Sequence, residues 1–182
     1  MSTIKIYHLR IVPPEPVYSD IIQFKQQFRD IYGNLKYSKS KPHITLAFFT
    51  MDIQHEAEML KCFEPLSNMK GFQLQIPGFG TFDKGANVLF LDIDNSHPIE
   101  EIQTSAYSLW SKGLQEKTSK LIISKTPHMT ISTTNDKATL LDSYIKFNAM
   151  TYQTSFKVDH LVLTSRLMGK TWDWEYNISL LL

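Results

Sequence analysis

Pro42-His43-Ile44-Thr45-Leu46 and Pro127-His128-Met129-Thr130-Ile131 repeat one pattern: proline, histidine, apolar, threonine, apolar. With 6 histidines in 182 residues, chance placement gives roughly half a His-x-Thr pair, so two are unusual. A proline before both makes coincidence remote. On a strand, residues i and i+2 share a face. His43 and Thr45 therefore project together, as do His128 and Thr130, while Ile44 and Met129 turn to a core. Each strand presents an imidazole beside a hydroxyl, roughly 6–7 Å apart at the backbone. Pro42 and Pro127 cannot donate to a ladder and suit a strand's first position.

Working outward, Ile4 to Ile11 alternates as a strand and ends at Pro13-Pro14-Glu15-Pro16. Ile21, Phe24, Phe28 and Ile31 recur at helical spacing up to Gly33-Asn34. After the histidine strand, Asp52 is positioned to cap a helix running to Phe63. Phe72 to Phe79 reads as a strand. In the second half, Val88 to Ile93 is a strand, Pro98 to Leu114 a helix, and His128 to Thr133 the second histidine strand. A helix from Asn135 or Asp136 to Phe147 follows, then strands Ser155–Thr164 and Thr171–Leu181. Both halves run strand, helix, histidine strand, helix, strand, and the histidines lie 85 positions apart, at 43 and 128. The expectation is one domain over 1–182 made by structural duplication, with lobe-like halves 1–80 and 85–182.

Composition narrows the partners. Hydrophobic residues make up 42% and charged residues 20%, the profile of an ordinary globule. A formal net charge of +1 gives no basis for coating duplex nucleic acid or a membrane surface. The single cysteine, Cys62, excludes an intramolecular disulfide and a cysteine zinc cluster, and reads as a buried thiol. No apolar run approaches the roughly 20 residues of a bilayer span. A cytoplasmic monomer without a metal or cofactor is the simplest expectation.

Imidazole can hold or lack a proton near neutral pH, so two facing one phosphate can divide general base from general acid. Each such group contributes roughly 10²–10⁴-fold. Thr45 and Thr130 would hold non-bridging oxygens, and Lys39, Lys41 and Lys125 would add charge at the mouth. Tyr7, Phe49, Phe82, Trp172 and Trp174 are candidates to stack a base; Trp172 and Trp174 point the same way on the closing strand, so both are core or both are exposed. The alternatives are a pair of structural histidines and a metal site, for which two imidazoles alone make a poor donor set. His8, His55, His97 and His160 lack the motif and read as surface or loop residues.

The two His-x-Thr motifs resemble those that name the 2H phosphoesterase superfamily. The segment 42–48 is similar to the first motif of its bacterial branch, the 2′-5′ RNA ligase family or RNA 2′,3′-cyclic phosphodiesterases. Phe79-Gly80-Thr81-Phe82, the strand 88–91, and Leu163-Thr164-Ser165 with Tyr176 resemble its central and closing segments. The resemblance implies a bilobal α+β fold with a pseudo-twofold, two antiparallel sheets lining a central cleft and helices outside. It also implies metal-free cleavage of 2′,3′-cyclic phosphate or 2′-5′ bonds in a nucleotide or RNA end, with His128 as base and His43 as acid, the roles exchanging in ligation. Members of the RNA-acting branch often carry an arginine after the second motif, where this chain has Ser132-Thr133-Thr134. Arg166, Arg10 and Lys5 are the candidates to compensate. The missing charge also motivates the other reading, a nucleotide or RNA-end binding module with little turnover.

Overall fold

A computed structural model describes residues 2–182. The first half runs β1 (Ile4–Ile11), α1 (Val17–Tyr32), β2 (Ile44–Asp52), α2 (Glu56–Phe63), β3 (Phe72–Ile76) and β4 (Phe79–Phe82). The second runs β5 (Asn87–Leu91), α3 (His97–Gly113), β6 (Ile122–Ile123), β7 (Met129–Thr134), α4 (Lys137–Asn148), β8 (Thr154–Val158), β9 (His160–Leu167) and β10 (Trp174–Ser179). The fold is α+β, with helices covering one side of antiparallel sheets.

Strands lie in the order β10-β9-β1-β2-β7-β5-β4, with β6 beside β2, and β3 pairs β8 in a second small sheet. The large sheet has two wings that meet at a single pair, Ile44↔Met129, between antiparallel β2 and β7. These two residues hold the same place in the two motifs. A position that pairs with its own counterpart is what a twofold axis through the junction demands.

The wings do not follow the sequence halves 1–80 and 85–182. The first wing takes β9 and β10 from the end of the chain, while β4 joins the second. The helices also cross: α1 packs on β7 and α3 on β2. Each motif strand is thus backed by the helix of the other half. Behind the sheet the apolar sides of β1, β2, β7 and β9 form one core with Ile21, Phe28, Ile102 and Trp110.

Three expected elements are cut differently. Phe72–Phe79 is broken at Pro77-Gly78, where Gly78 takes φ +148°, so β3 and β4 enter different sheets. Ser155–Thr164 is divided at Asp159 in the same way, β8 leaving for the small sheet. Asp52 accepts from the Gln54 amide and caps a short 3₁₀ turn, Ile53–His55, ahead of α2.

Candidate active site

His43 and His128 each stand one residue before their motif strand. Both are half-buried, and the residues that follow, Ile44 and Met129, are fully buried, as the alternation requires. Each ring is fixed in the same way. His43 Nδ1 lies 2.8 Å from the Lys41 carbonyl and His128 Nδ1 2.7 Å from that of Thr126, two residues upstream in both cases. A carbonyl only accepts, so Nδ1–H is the donor and Nε2 is the basic nitrogen of both rings.

The antiparallel junction brings the motifs together. One step either side of Ile44↔Met129, the register sets His43 opposite Thr130 and Thr45 opposite His128. All four side chains line a cleft of ≈ 600 Å³.

A pair of matched irregularities shapes the strands. The β1–β2 register slips at Leu46 and the β5–β7 register at Ile131, each three residues beyond its histidine. A bulge frees backbone groups that must find other partners. Gln103 on α3 donates to the Leu46 carbonyl at 3.0 Å and to that of Ser124 at 2.8 Å. Lys25 on α1, 1% exposed, donates to the carbonyls of Thr130 and Ile131 at 2.6 and 3.0 Å. It also reaches the Tyr37 carbonyl and the Ser40 hydroxyl. Each side chain therefore ties the bulged strand of one motif to the loop preceding the other histidine. Burial, with Arg29 adding to it, pulls the Lys25 pKa down to about 7.

The symmetry stops at the walls. Beside Thr45 on β1 stands Arg10; beside Thr130 on β5 stands Phe90. Phe82 stacks on Phe90 at 4.2 Å and meets the His128 ring edge-on at 4.9 Å. Gly80 makes room for this stack, since a Cβ there would lie 2.6 Å from the Phe90 ring. The two imidazoles consequently feel different fields. Burial lowers His43 to about 4, and Arg10, Lys25 and His128 lower it too, against the Lys41 carbonyl. Burial also lowers His128, but there the Thr126 carbonyl and Asp92 pull the other way.

Of the other residues singled out in the sequence, Arg166 and Trp172 line the cleft and Phe82 buttresses His128. Tyr7 and Phe49 do not. They are 0% and 1% exposed and stack on each other at 5.5 Å on the helix side of the sheet, where Tyr7 donates to Glu56. Odd positions of β1 face the core, so the candidates there are His8 and Arg10. His8, expected at the surface, instead lines the cleft. Trp172 and Trp174 part company because β10 begins only at Trp174, which packs against Tyr7. Lys39 and Lys125 are exposed outside the cleft, Lys41 faces Glu175 at 3.9 Å, and Lys5 is held by Asp173 at 3.1 Å.

The chain is similar in fold to solved structures at low sequence identity. It superposes on E. coli LigT in its apo form with TM-score 0.62, 15% identity, and 98% and 99% of the two chains covered. On LigT complexed with NADP+ the figures are 0.63, 14%, and 100% of both chains. On TT0787 of Thermus thermophilus they are 0.56, 13%, 95% and 97%. No curated protein matches by sequence. The sequence does match the family model described as the 2′-5′ RNA ligase superfamily, over residues 13–170. A match across so much of the chain, with both motif strands inside it, places the protein in that superfamily, the 2H phosphoesterases.

Proposed function

We propose that the cleft hydrolyses a phosphodiester of a nucleotide or RNA end, either a 2′,3′-cyclic phosphate or a 2′-5′ bond, by two-histidine acid–base catalysis without a metal. The observation that carries this reading is the matched pair itself. Two imidazoles in one cleft have the same tautomer fixed by the same carbonyl contact, each opposite the other motif's threonine.

Around a phosphate placed among these four groups, one Nε2 takes a proton from the attacking water as its oxygen bonds to phosphorus. The other imidazole, protonated, gives its proton to the ester oxygen as that bond breaks. Thr45 and Thr130 donate to the non-bridging oxygens, where charge builds. The fields at the two rings favour His43 as the base and His128 as the acid, the reverse of the division that the resemblance implies. His43 stands among cations that oppose a proton, whereas Asp92 helps His128 to hold one.

The nucleotide class of ligand is supported by the relatives. Structures of E. coli LigT are complexed with 3′-AMP, ATP and NADP+. The aromatic wall of Phe82 and Phe90 also suits a base.

The test is turnover of a 2′,3′-cyclic mononucleotide and a 2′-5′ dinucleotide in excess EDTA. Full activity is expected with the chelator, and a loss of at least about 10²-fold in kcat with His43→Ala or His128→Ala. Activity abolished by EDTA and restored by zinc would reject the mechanism. Binding without product, unaffected by either substitution, would favour a binding module.

A further inference from the structure

The polar groups on the β1–β9 side of the cleft are more than a single phosphate between the histidines requires. His8 lies directly opposite Thr164 and Arg166 opposite Ile6, so His8, Arg10, Thr164 and Arg166 share one face of this wing. Trp172, on the loop between β9 and β10, sits over them. The Arg10 and Arg166 guanidinium carbons lie 4.2 and 4.8 Å from its ring centroid, and the His8 ring lies edge-on at 4.6 Å.

These groups are short of partners. Arg10 is 2% exposed, yet its Nε and Nη2 have no acceptor, and the same holds for His8 Nδ1, Thr164 Oγ1 and Arg166 Nε. Arg166 Nη1 donates only to the Lys170 carbonyl. Among the described residues no carboxylate forms an ion pair with either arginine; Glu175, facing this wing, reaches Lys41, and Asp173 is taken by Lys5. Buried polar atoms are nearly always satisfied, so five orphaned ones together beside a cleft mark a place for a ligand. Glu175, opposite Thr164 on β10, is the one carboxylate whose charge is felt at Arg10, and it bonds neither arginine. Two guanidiniums with open donor forks therefore suit an anion, and those forks fit phosphate oxygens.

We propose that His8, Arg10 and Arg166, arranged around Trp172, form a second phosphate subsite. It holds a phosphate one nucleotide removed from the one between the histidines. Arg10 is one strand spacing, about 4.8 Å, from Thr45, and the subsite extends along β1 on the order of 10 Å toward Arg166, the reach of a single nucleotide. The preferred ligand is accordingly a nucleotide with a second phosphate, rather than a cyclic mononucleotide alone. That phosphate is either a terminal monoester or an internucleotide diester. The inference rests on reading the cleft as a nucleotide site but not on turnover, so binding tests it separately from catalysis.

The experiment is calorimetric titration of the protein, at fixed ionic strength, with 3′-AMP, with adenosine 3′,5′-bisphosphate, and with a dinucleotide bearing a 3′-phosphate. At least one of the last two is expected to bind about tenfold or more tightly than 3′-AMP. A gain with both marks a site for any second phosphate, and a gain with the dinucleotide alone marks the internucleotide diester. In Arg166→Gln, and separately in Arg10→Met, the gain should shrink to about threefold or less, with thermal melts confirming that each variant folds. Equal affinity for all three ligands overturns the subsite. So does a gain that survives undiminished in both folded variants.

Discussion

At the scale of single residues, the two halves of the site share a geometry but not a chemistry. The carbonyls of Lys41 and Thr126 fix one tautomer in both rings. What separates the rings is the neighbour across the bulge, Arg10 on one side and Phe90 on the other. If His128 is the acid, His128→Ala removes a proton that a good leaving group does not need. Its activity on a p-nitrophenyl phosphodiester should then approach wild type, while His43→Ala stays impaired with every substrate. Rescue of His43→Ala instead would restore the roles implied by the resemblance. The pH profile follows from the same fields. A base lowered to about 4 works down to that pH, and an acid with a lowered pKa gives up its proton early as pH rises. The optimum of kcat/KM should therefore lie below about 6.5, the ordinary imidazole value. An optimum above 7 on that plot would mean that the cations around His43 do not govern the free site.

At the scale of elements, the crossing of helices gives Lys25 and Gln103 a common task. Each donates to carbonyls at a bulge and ties them to the loop before the opposite histidine, Gln103 sharing the Leu46 carbonyl with the Ser124 amide. Neither reaches the reacting atoms, so both are positioning residues. Lys25→Met keeps the stem and removes four hydrogen bonds. Unpaired buried carbonyls cost roughly 1–3 kcal/mol each, so a melting temperature lower by several degrees is expected, with kcat falling more than KM rises. Gln103→Met should act in the same direction on the other motif but more weakly, since it loses two bonds and the Leu46 carbonyl keeps the Ser124 amide at 3.0 Å. A variant that lost stability with kcat intact would show that the bulges are structural only.

The element scale also shows where the sequence stops being legible. The period-2 pattern around His43 and His128 predicts which side chains share the cleft, because it is local. The same reasoning applied to β1 would have chosen His8 and Arg10 over Tyr7, since Tyr7 alternates with them. Lys25 and Gln103 carry no such signal: an exposed helical lysine and a buried one look alike until the bulge they serve is known. The interlaced wings are equally hidden, because which helix backs which strand is set by packing between halves. The break at Pro77-Gly78 was readable, whereas that at Asp159 has no comparable marker.

At the scale of the whole molecule, a net charge of +1 conceals a cleft lined by a cation, Arg166, and by no carboxylate among the described residues. Arg166 lines it, Arg10 packs on Trp172 beside it, Lys25 lies behind it bonded to Ser40, and His8 and His43 are kept neutral. Burial, then Arg10, His43 and Arg166, hold His8 at about 3, and burial with Arg10 holds His43 at about 4. In the unfolded chain both return to about 6.5. Between pH 6.5 and 4 the unfolded state therefore binds more protons than the folded one, and stability falls as pH falls through that window. A steady drop in melting temperature is expected from pH 6.5 to about 5.5, above the range where most carboxylates titrate. His8→Phe keeps an aromatic ring against Phe48 and Trp172 and removes the titrating group, so it should flatten that slope. An anion in the cleft lowers the cost of protonating the rings. Inorganic phosphate should thus raise the melting temperature more at pH 5 than at pH 8. A slope unchanged in His8→Phe, with phosphate stabilising equally at both pH values, would show that the cleft's charge does not set the acid sensitivity of the fold.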